Sequence, residues 1–162
     1  MKLKKGDKLP LTDLFYIGDN KEVKKINTKH LFEQQKIIMF GLPGAFTAVC
    51  SAKHLPGFIN NYEEAKKKGV TKIVCISVND PFVMKAWGEA HNVKNKILML
   101  GDPYCKFINN IGANVDKSEK GLGIRSSRFA MLIENGIVKE IKEEKDTANC
   151  EISAAENFLK DI

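Results

Sequence analysis

Nowhere in these 162 residues does an apolar run approach the ~20 that cross a bilayer as a helix, which excludes a helical membrane protein. There is no Cys-x-x-Cys pair and no cysteine/histidine spacing of the zinc type. The four cysteines, Cys50, Cys75, Cys105 and Cys150, stand far apart, so neither a metal site nor a disulfide framework is expected. Cysteines this sparse suit a reducing compartment, in which any disulfide is transient. The start Met1 to Lys5 is basic but lacks the apolar core of a secretory signal. The expected location is therefore cytoplasmic, or an organelle lumen if a targeting segment has been removed. Acidic residues are the minority, 20 against 26 Lys and Arg, for a formal charge of +6. The lysines are spread over turns and helix faces without aromatic interleaving, so the excess reads as a solvated surface and no nucleic-acid partner is expected. No internal repeat or low-complexity segment is present.

What the chain does have is the composition of one soluble domain over residues 1–162, with 43% hydrophobic and 28% charged residues. One stretch organises it. Lys36 to Phe40 is an apolar, partly β-branched run suited to a central strand, and Gly41, Pro43 and Gly44 punctuate it. A helix is predicted to open at Thr47, whose hydroxyl is placed to cap it by accepting a backbone N–H, putting Cys50 in the first turn. Unpaired N–H groups and the helix dipole favour negative charge there, and a thiolate is such a charge. The plainer reading of a lone cysteine on an amphipathic helix is a small buried hydrophobe.

Elsewhere, Lys8 to Pro10 and Glu22 to Ile26 read as short edge strands around a turn at Gly18-Asp19-Asn20, and Thr28 as the cap of a helix through Gln34. Pro56 is expected to kink the Cys50 helix and Gly69 to end it. Lys72 to Val78 is a continuous apolar strand containing Cys75, of the kind buried on both faces. Asp80 before Pro81 signals a helix to about His91, and Ile97 to Leu100 is a further strand. Cys105 to Ile111 reads as a short helix. Arg128 to Ile133 and Ile137 to Ile141 flank Asn135-Gly136, a hairpin signal, and Ser153 is placed to cap a last helix to Lys160. This ordering predicts an α/β fold with a mixed sheet.

Pro43, Thr47 and Cys50 form Pro-x-x-x-Thr-x-x-Cys, and through it the chain resembles the peroxiredoxins. The string Pro43 to Thr47 is similar to the atypical branch that holds peroxiredoxin five and the plant type II enzymes. So are Lys53 to Phe58, Lys68 to Val70, Ser77 to Gly88 and Lys120 to Ala130. Ala48 departs from the pattern, since the family usually carries a second proline there. The resemblance implies a thioredoxin-like fold, a central mixed sheet flanked by helices, with the peroxiredoxin N-terminal extension. It implies a thiol-dependent peroxidase reducing hydrogen peroxide and small alkyl hydroperoxides through a sulfenic acid at Cys50, without a cofactor. Glutathione with glutaredoxin, or thioredoxin, would be the reductant, and the assembly a homodimer packed through loops near the active sites.

Residue by residue, the resemblance implies that Cys50 is the nucleophile, Thr47 orients sulfur and peroxide, and Pro43 screens the sulfur from water. Backbone N–H groups of Val49 and Cys50 would hold the peroxide oxygens. Arg128, immediately before Phe129-Ala130-Met131, matches the arginine that reaches the sulfur, and Arg125 matches a supporting one. A strand-borne arginine is otherwise a surface ion pair. Cys75 stands where plant type II enzymes carry their second cysteine, and Cys150 lies near, but out of register with, a C-terminal resolving cysteine. Cys75 reads equally as a plain core residue. Two rivals remain: a Cys-His hydrolase, because His54 lies one turn beyond Cys50, and a thioredoxin-fold adaptor whose thiol is incidental.

Overall fold

The computed structural model describes residues 1–162. Nine strands form: β1 (Asp13–Ile17), β2 (Val23–Asn27), β3 (Lys36–Gly41), β4 (Lys72–Ser77), β5 (Ile97–Gly101), β6 (Asn114–Asp116), β7 (Ile124–Ser126), β8 (Phe129–Glu134) and β9 (Ile137–Glu143). The helices are α1 (Thr28–Phe32), α2 (Leu55–Asn60), α3 (Tyr62–Lys67), α4 (Pro81–Ala90), α5 (Lys106–Asn110) and α6 (Ala155–Phe158). Seven strands make one mixed sheet in the order β2-β1-β5-β4-β3-β8-β9, while β6 and β7 pair separately. The runs β3, β4 and β5 lie parallel, and β8 returns antiparallel along β3. That is the thioredoxin-like arrangement, with the β1–β2 hairpin added at one edge.

Strand periodicity divides the core between the two faces of this sheet. Ile38 and Phe40 of β3, Ile73 and Cys75 of β4, and Ala130 and Leu132 of β8 share one apolar layer with Cys50, Phe58 and Trp87. Ile37 and Met39, Val74 and Ile76, and Phe129 and Met131 face the other layer, with Phe32, Phe107 and Cys105. Each such side chain removed from water contributes roughly 1.5–3 kcal/mol, which fixes the register because a one-residue slip would exchange the layers. At the end of β3 the backbone must admit the ring of Phe129, and Gly41 is what leaves room: a Cβ there would collide with that ring.

Local signals account for most element ends. Asp80 Oδ1 accepts from the N–H groups of Phe82 and Val83 at 2.9 and 3.0 Å, with Pro81 behind it opening α4. Gly69, at φ +80, closes α3 while Val70 N–H reaches the Ala65 carbonyl and Gly69 N–H that of Lys66. Asn135 and Gly136 both take positive φ in the β8–β9 turn. Four expectations differ from the structure. The first strand is Asp13–Ile17, whereas Lys8 contributes only an isolated bridge to Ile137. Asn27 caps α1 through its side chain, and Thr28 instead accepts from Thr12 N–H and donates to the Pro10 carbonyl. Ser153 gives its hydroxyl to Glu144, so α6 opens without a side-chain cap and is short. Pro56 stands in the first turn of α2, directly after the segment Cys50–His54, which winds as a π-helix rather than as part of one continuous α-helix. No helix is long and apolar enough to cross a membrane.

Candidate active site

The loop after β3 delivers Cys50 to the carboxyl end of the parallel strands, the usual place for a site in such a sheet. Pro43 and Gly44 are buried within this loop. Arg125 fixes it from the side, donating Nε to the Leu122 carbonyl at 2.7 Å and Nη1 to the Pro43 carbonyl at 3.3 Å. Asn79, in the loop after β4, fixes it as well, its Oδ1 accepting from Ala45 N–H at 3.0 Å. The carbonyl of Thr47 receives the first helical bond, from Ser51 N–H. Thr47 therefore stands where a cap stands, but its hydroxyl turns away and donates to the Gly44 carbonyl at 2.8 Å. Both oxygen lone pairs of that hydroxyl stay open as acceptors. The N–H groups of Ala48, Val49 and Cys50 have no partner within the chain, as the first turn of a helix leaves them.

Cys50 is 1% exposed and sits in the π-helical turn, where Leu55 N–H bonds its carbonyl. Arg128, also 1% exposed, reaches it from the start of β8 with Nη2 at 3.4 Å from Sγ. A buried guanidinium needs its other donors met. Nε and Nη2 both donate to the Thr147 carbonyl, at 3.1 and 2.8 Å, and Nη1 lies 3.2 Å from His54 Nδ1. Because an arginine cannot accept, that contact makes Nδ1 the acceptor and leaves the proton on Nε2, 3.2 Å from the Ser153 carbonyl. Burial, reinforced by the Arg128 charge, pulls the His54 pKa down to about 3. His54 is thus a neutral imidazole with both nitrogens occupied. It packs tilted against Phe40 and Phe58, which stack on each other at 4.2 Å. No ring nitrogen is left to take a proton from the cysteine, so the Cys-His hydrolase arrangement is absent.

The structure brings Pro43, Thr47, Val49, Cys50 and Arg128 together at this loop, with Arg125 behind it. All four cysteines are free thiols. Cys75 is fully buried in β4, opposite Phe40 and Met99 on its neighbours, and burial, then the nearby Cys50, push its thiol well up. Cys150 is half-buried on the segment after β9; burial raises its thiol although Arg128 works against it. No group of histidine, cysteine and carboxylate side chains is arranged to hold a metal. The sequence reading missed two carbonyls, those of Thr147 and Ser153, which hold Arg128 and His54. Main-chain groups carry no residue-type signal, whereas the His54 spacing was visible and only its use was not.

Comparison with known proteins adds a second line. The chain matches the Redoxin family over residues 4–159. It is 38% identical over 155 residues to Peroxiredoxin-2D of Arabidopsis thaliana, covering 96% of this chain and 95% of that one. The reduced Prx3 of Vibrio vulnificus in complex with hydrogen peroxide superposes with a TM-score of 0.93 at 40% identity, over 98% of both chains. The 1-Cys peroxiredoxin antioxidant protein of Plasmodium falciparum gives 0.91 at 32% identity, over 99% of this chain and 100% of that one. A buried cysteine met by a buried arginine on a Pro-x-x-x-Thr-x-x-Cys loop, together with similarity to these relatives over almost their whole length, leaves one conclusion: the chain belongs to the peroxiredoxins, the thiol peroxidases, alongside the plant type II members.

Proposed function

We propose that this peroxidase reduces hydrogen peroxide and small alkyl hydroperoxides at Cys50 in a one-cysteine cycle. The Cys50 thiolate attacks the terminal peroxide oxygen, so that an S–O bond forms and the O–O bond breaks. The sulfur is oxidised by two electrons to sulfenic acid, and the departing oxygen takes up a proton and leaves as water or alcohol. Thr47 accepts the peroxide O–H on its open lone pairs, the Val49 and Cys50 N–H groups hold the oxygens, and Pro43 keeps water from the sulfur. Arg128 serves both the thiolate and the charge that develops on oxygen. Its contact with Sγ at 3.4 Å is the observation that carries this reading. Full ionisation of an ordinary thiol raises its thiolate fraction at neutral pH only about thirty-fold, about 2 kcal/mol, so faster reaction must come from such donors.

Glutathione then displaces the hydroxyl of the sulfenic acid as water, giving a mixed disulfide that glutaredoxin reduces, with thioredoxin as the lesser route. The formal charge of +6 favours an anionic thiol of this kind. Support for a cycle without a resolving cysteine comes from the raised thiols of Cys75 and Cys150. A peroxide-turnover assay run in parallel with glutathione plus glutaredoxin and with thioredoxin plus its reductase tests this. Higher kcat/KM with the first is expected, and turnover with thioredoxin alone would overturn the assignment.

The working unit is a homodimer packed through the loops beside the site. Phe46 on the Cys50 loop and Phe82 in the first turn of α4 are 59% and 61% exposed, and the Ala45 to Asn79 hydrogen bond links the two segments that carry them. Sedimentation at micromolar concentration should give a dimer, and a monomer alone would count against it.

A further inference from the structure

We infer that Glu144 is a positioning residue for the reacting centre, its buried carboxylate holding residues 145–153 in the shape that presents the Thr147 and Ser153 carbonyls to Arg128 and His54. The inference rests on the reading that Arg128 acts at Cys50. Glu144 follows β9 directly and is 9% exposed. Its N–H donates to the Arg128 carbonyl at 2.9 Å, extending the β8–β9 pairing by one step. A single side-chain oxygen, Oε1, then accepts from Glu151 N–H at 2.7 Å, Ser153 N–H at 2.9 Å and Ser153 Oγ at 2.8 Å. No lysine or arginine pairs with this carboxylate. Its charge is met instead by the strap that it organises.

Between those tie points the chain has no helix or strand of its own. It passes Thr147, which takes two donors of Arg128, and ends at Ser153, whose carbonyl faces His54 Nε2. Each outer partner of the Arg128–His54 unit is therefore a carbonyl on this one strap. The strap's remaining internal bonds are short-range, at Asp146 to Ala148 and Asn149. Without the Glu144 tie, the only long-range bonds left on the strap are those with Arg128 and His54 themselves, so nothing independent of that pair fixes where Thr147 stands, and the guanidinium would lose its aim at the sulfur. Bonds to a charged acceptor are roughly twice as strong as neutral ones, which is why a carboxylate suits the position.

The test compares Glu144→Ala, Glu144→Gln and Ser153→Ala with the native protein and with Arg128→Met. The single tryptophan, Trp87, donates to Ser51 Oγ beside Cys50 and reports the peroxide step in stopped flow. Alkylation of Cys50 by iodoacetamide, which uses no peroxide-oxygen donor, is measured in parallel. A misplaced donor at a reacting centre costs on the order of tenfold or more, so Glu144→Ala should slow peroxide by about that factor and leave alkylation within about twofold. Glu144→Gln keeps an acceptor oxygen and should recover most of the rate. Ser153→Ala, which removes one of the three bonds without burying a charge, should cost about twofold to threefold. Native peroxide rates in Glu144→Ala, alongside a slow Arg128→Met, would overturn the positioning role alone. A native rate in Arg128→Met would overturn the underlying reading of Arg128. Faster alkylation in Glu144→Ala would mean that the buried thiol has simply been uncovered, and that also overturns the inference.

Discussion

One guanidinium bridges Cys50 and His54: Arg128 places Nη2 at 3.4 Å from the sulfur and Nη1 at 3.2 Å from the imidazole Nδ1. The histidine that looks like a general base in the sequence is an uncharged acceptor that fixes the arginine. The arginine, in turn, is held on its far side by a main-chain carbonyl. Charge at the site is thus one fixed cation, desolvated and aimed at one thiol.

That state of His54 makes stability depend on pH in a definite direction. The folded protein protonates this imidazole only near pH 3, against 6.5 for an ordinary one. Between these values the unfolded chain binds the extra proton and the folded one does not. Stability is therefore fully present above about pH 6.5 and is lost as pH falls towards about 3, by an amount bounded at about 4–5 kcal/mol. His54→Gln removes this titration and leaves the carboxylates, which act in both proteins. Urea midpoints from pH 7.5 down to 4.5 should fall more steeply in the native protein. Parallel slopes would show that His54 is not held neutral.

The buried thiols of Cys50 and Cys105 lie in opposite layers of the core, so their replacement separates chemistry from packing. Cys50→Ser should abolish peroxide turnover. Cys105→Ser, whose sulfur touches only Asn109 among polar groups, should keep turnover within about twofold while costing about 1–2 kcal/mol of stability. Turnover by Cys50→Ser in a thiol-coupled assay would remove the central assignment.

For Arg128 the informative measurement is made where Cys50 is ionised in both proteins, since thiolate content then drops out. Arg128→Met should still react with peroxide about 10²–10³-fold more slowly, the range found when a donor to developing oxygen charge is removed. Equal rates at that pH would confine the arginine to the ground state.

How much of this was legible beforehand follows from where each signal resides. The layers of β3, β4 and β8 could be read from alternating or continuous apolar residues, and the turns at Asp80-Pro81, Gly69 and Asn135-Gly136 from residues with narrow backbone preferences. The hairpin edge was harder: Asp13-Leu14-Phe15-Tyr16-Ile17 alternates weakly, and Lys8-Leu9-Pro10 looked equally strand-like. At the site, the common loop of Pro43, Thr47 and Cys50 followed from their closeness in sequence, and the approach of Arg128 to Cys50 was expected from the family resemblance. The Thr47 hydroxyl, by contrast, had two bonding choices that sequence could not separate. Long-range ties such as Glu144 to Ser153 and Arg128 to Thr147 depend on how an irregular segment lies across the sheet.

The loop also admits a stabilising change. Ala48 is exposed, opens the helix that carries Cys50, and its N–H has no partner in the chain, so a proline there forfeits no bond. Fixing φ at a first helical position reduces the freedom of the unfolded chain, and Ala48→Pro should add about 0.4–1 kcal/mol. Chemical denaturation measures this directly. A loss of stability would show that Thr47 cannot take the extended backbone that a following proline demands.

The fate of the oxidised Cys50 depends on which thiol can reach it first. Cys75 shares its apolar layer, but it belongs to a strand hydrogen-bonded on both sides, and burial together with the neighbouring Cys50 keeps it protonated. A protonated thiol is not the attacking species. Bridging also requires the two Cα atoms within about 7 Å with suitable side-chain vectors, and Cys75 is fixed in mid-sheet between β3 and β5. Cys150 is better exposed, yet it lies on the strap that Glu144 and Arg128 hold down, and its thiol is raised as well. Glutathione in solution meets neither obstacle once the sulfenic acid is reached. One equivalent of peroxide added to the reduced protein should therefore give a Cys50 sulfenic acid that persists for seconds and that glutathione converts to a mixed disulfide, visible by mass spectrometry. A rapid, near-quantitative Cys50–Cys75 or Cys50–Cys150 disulfide without added thiol would replace the one-cysteine cycle with an intramolecular one.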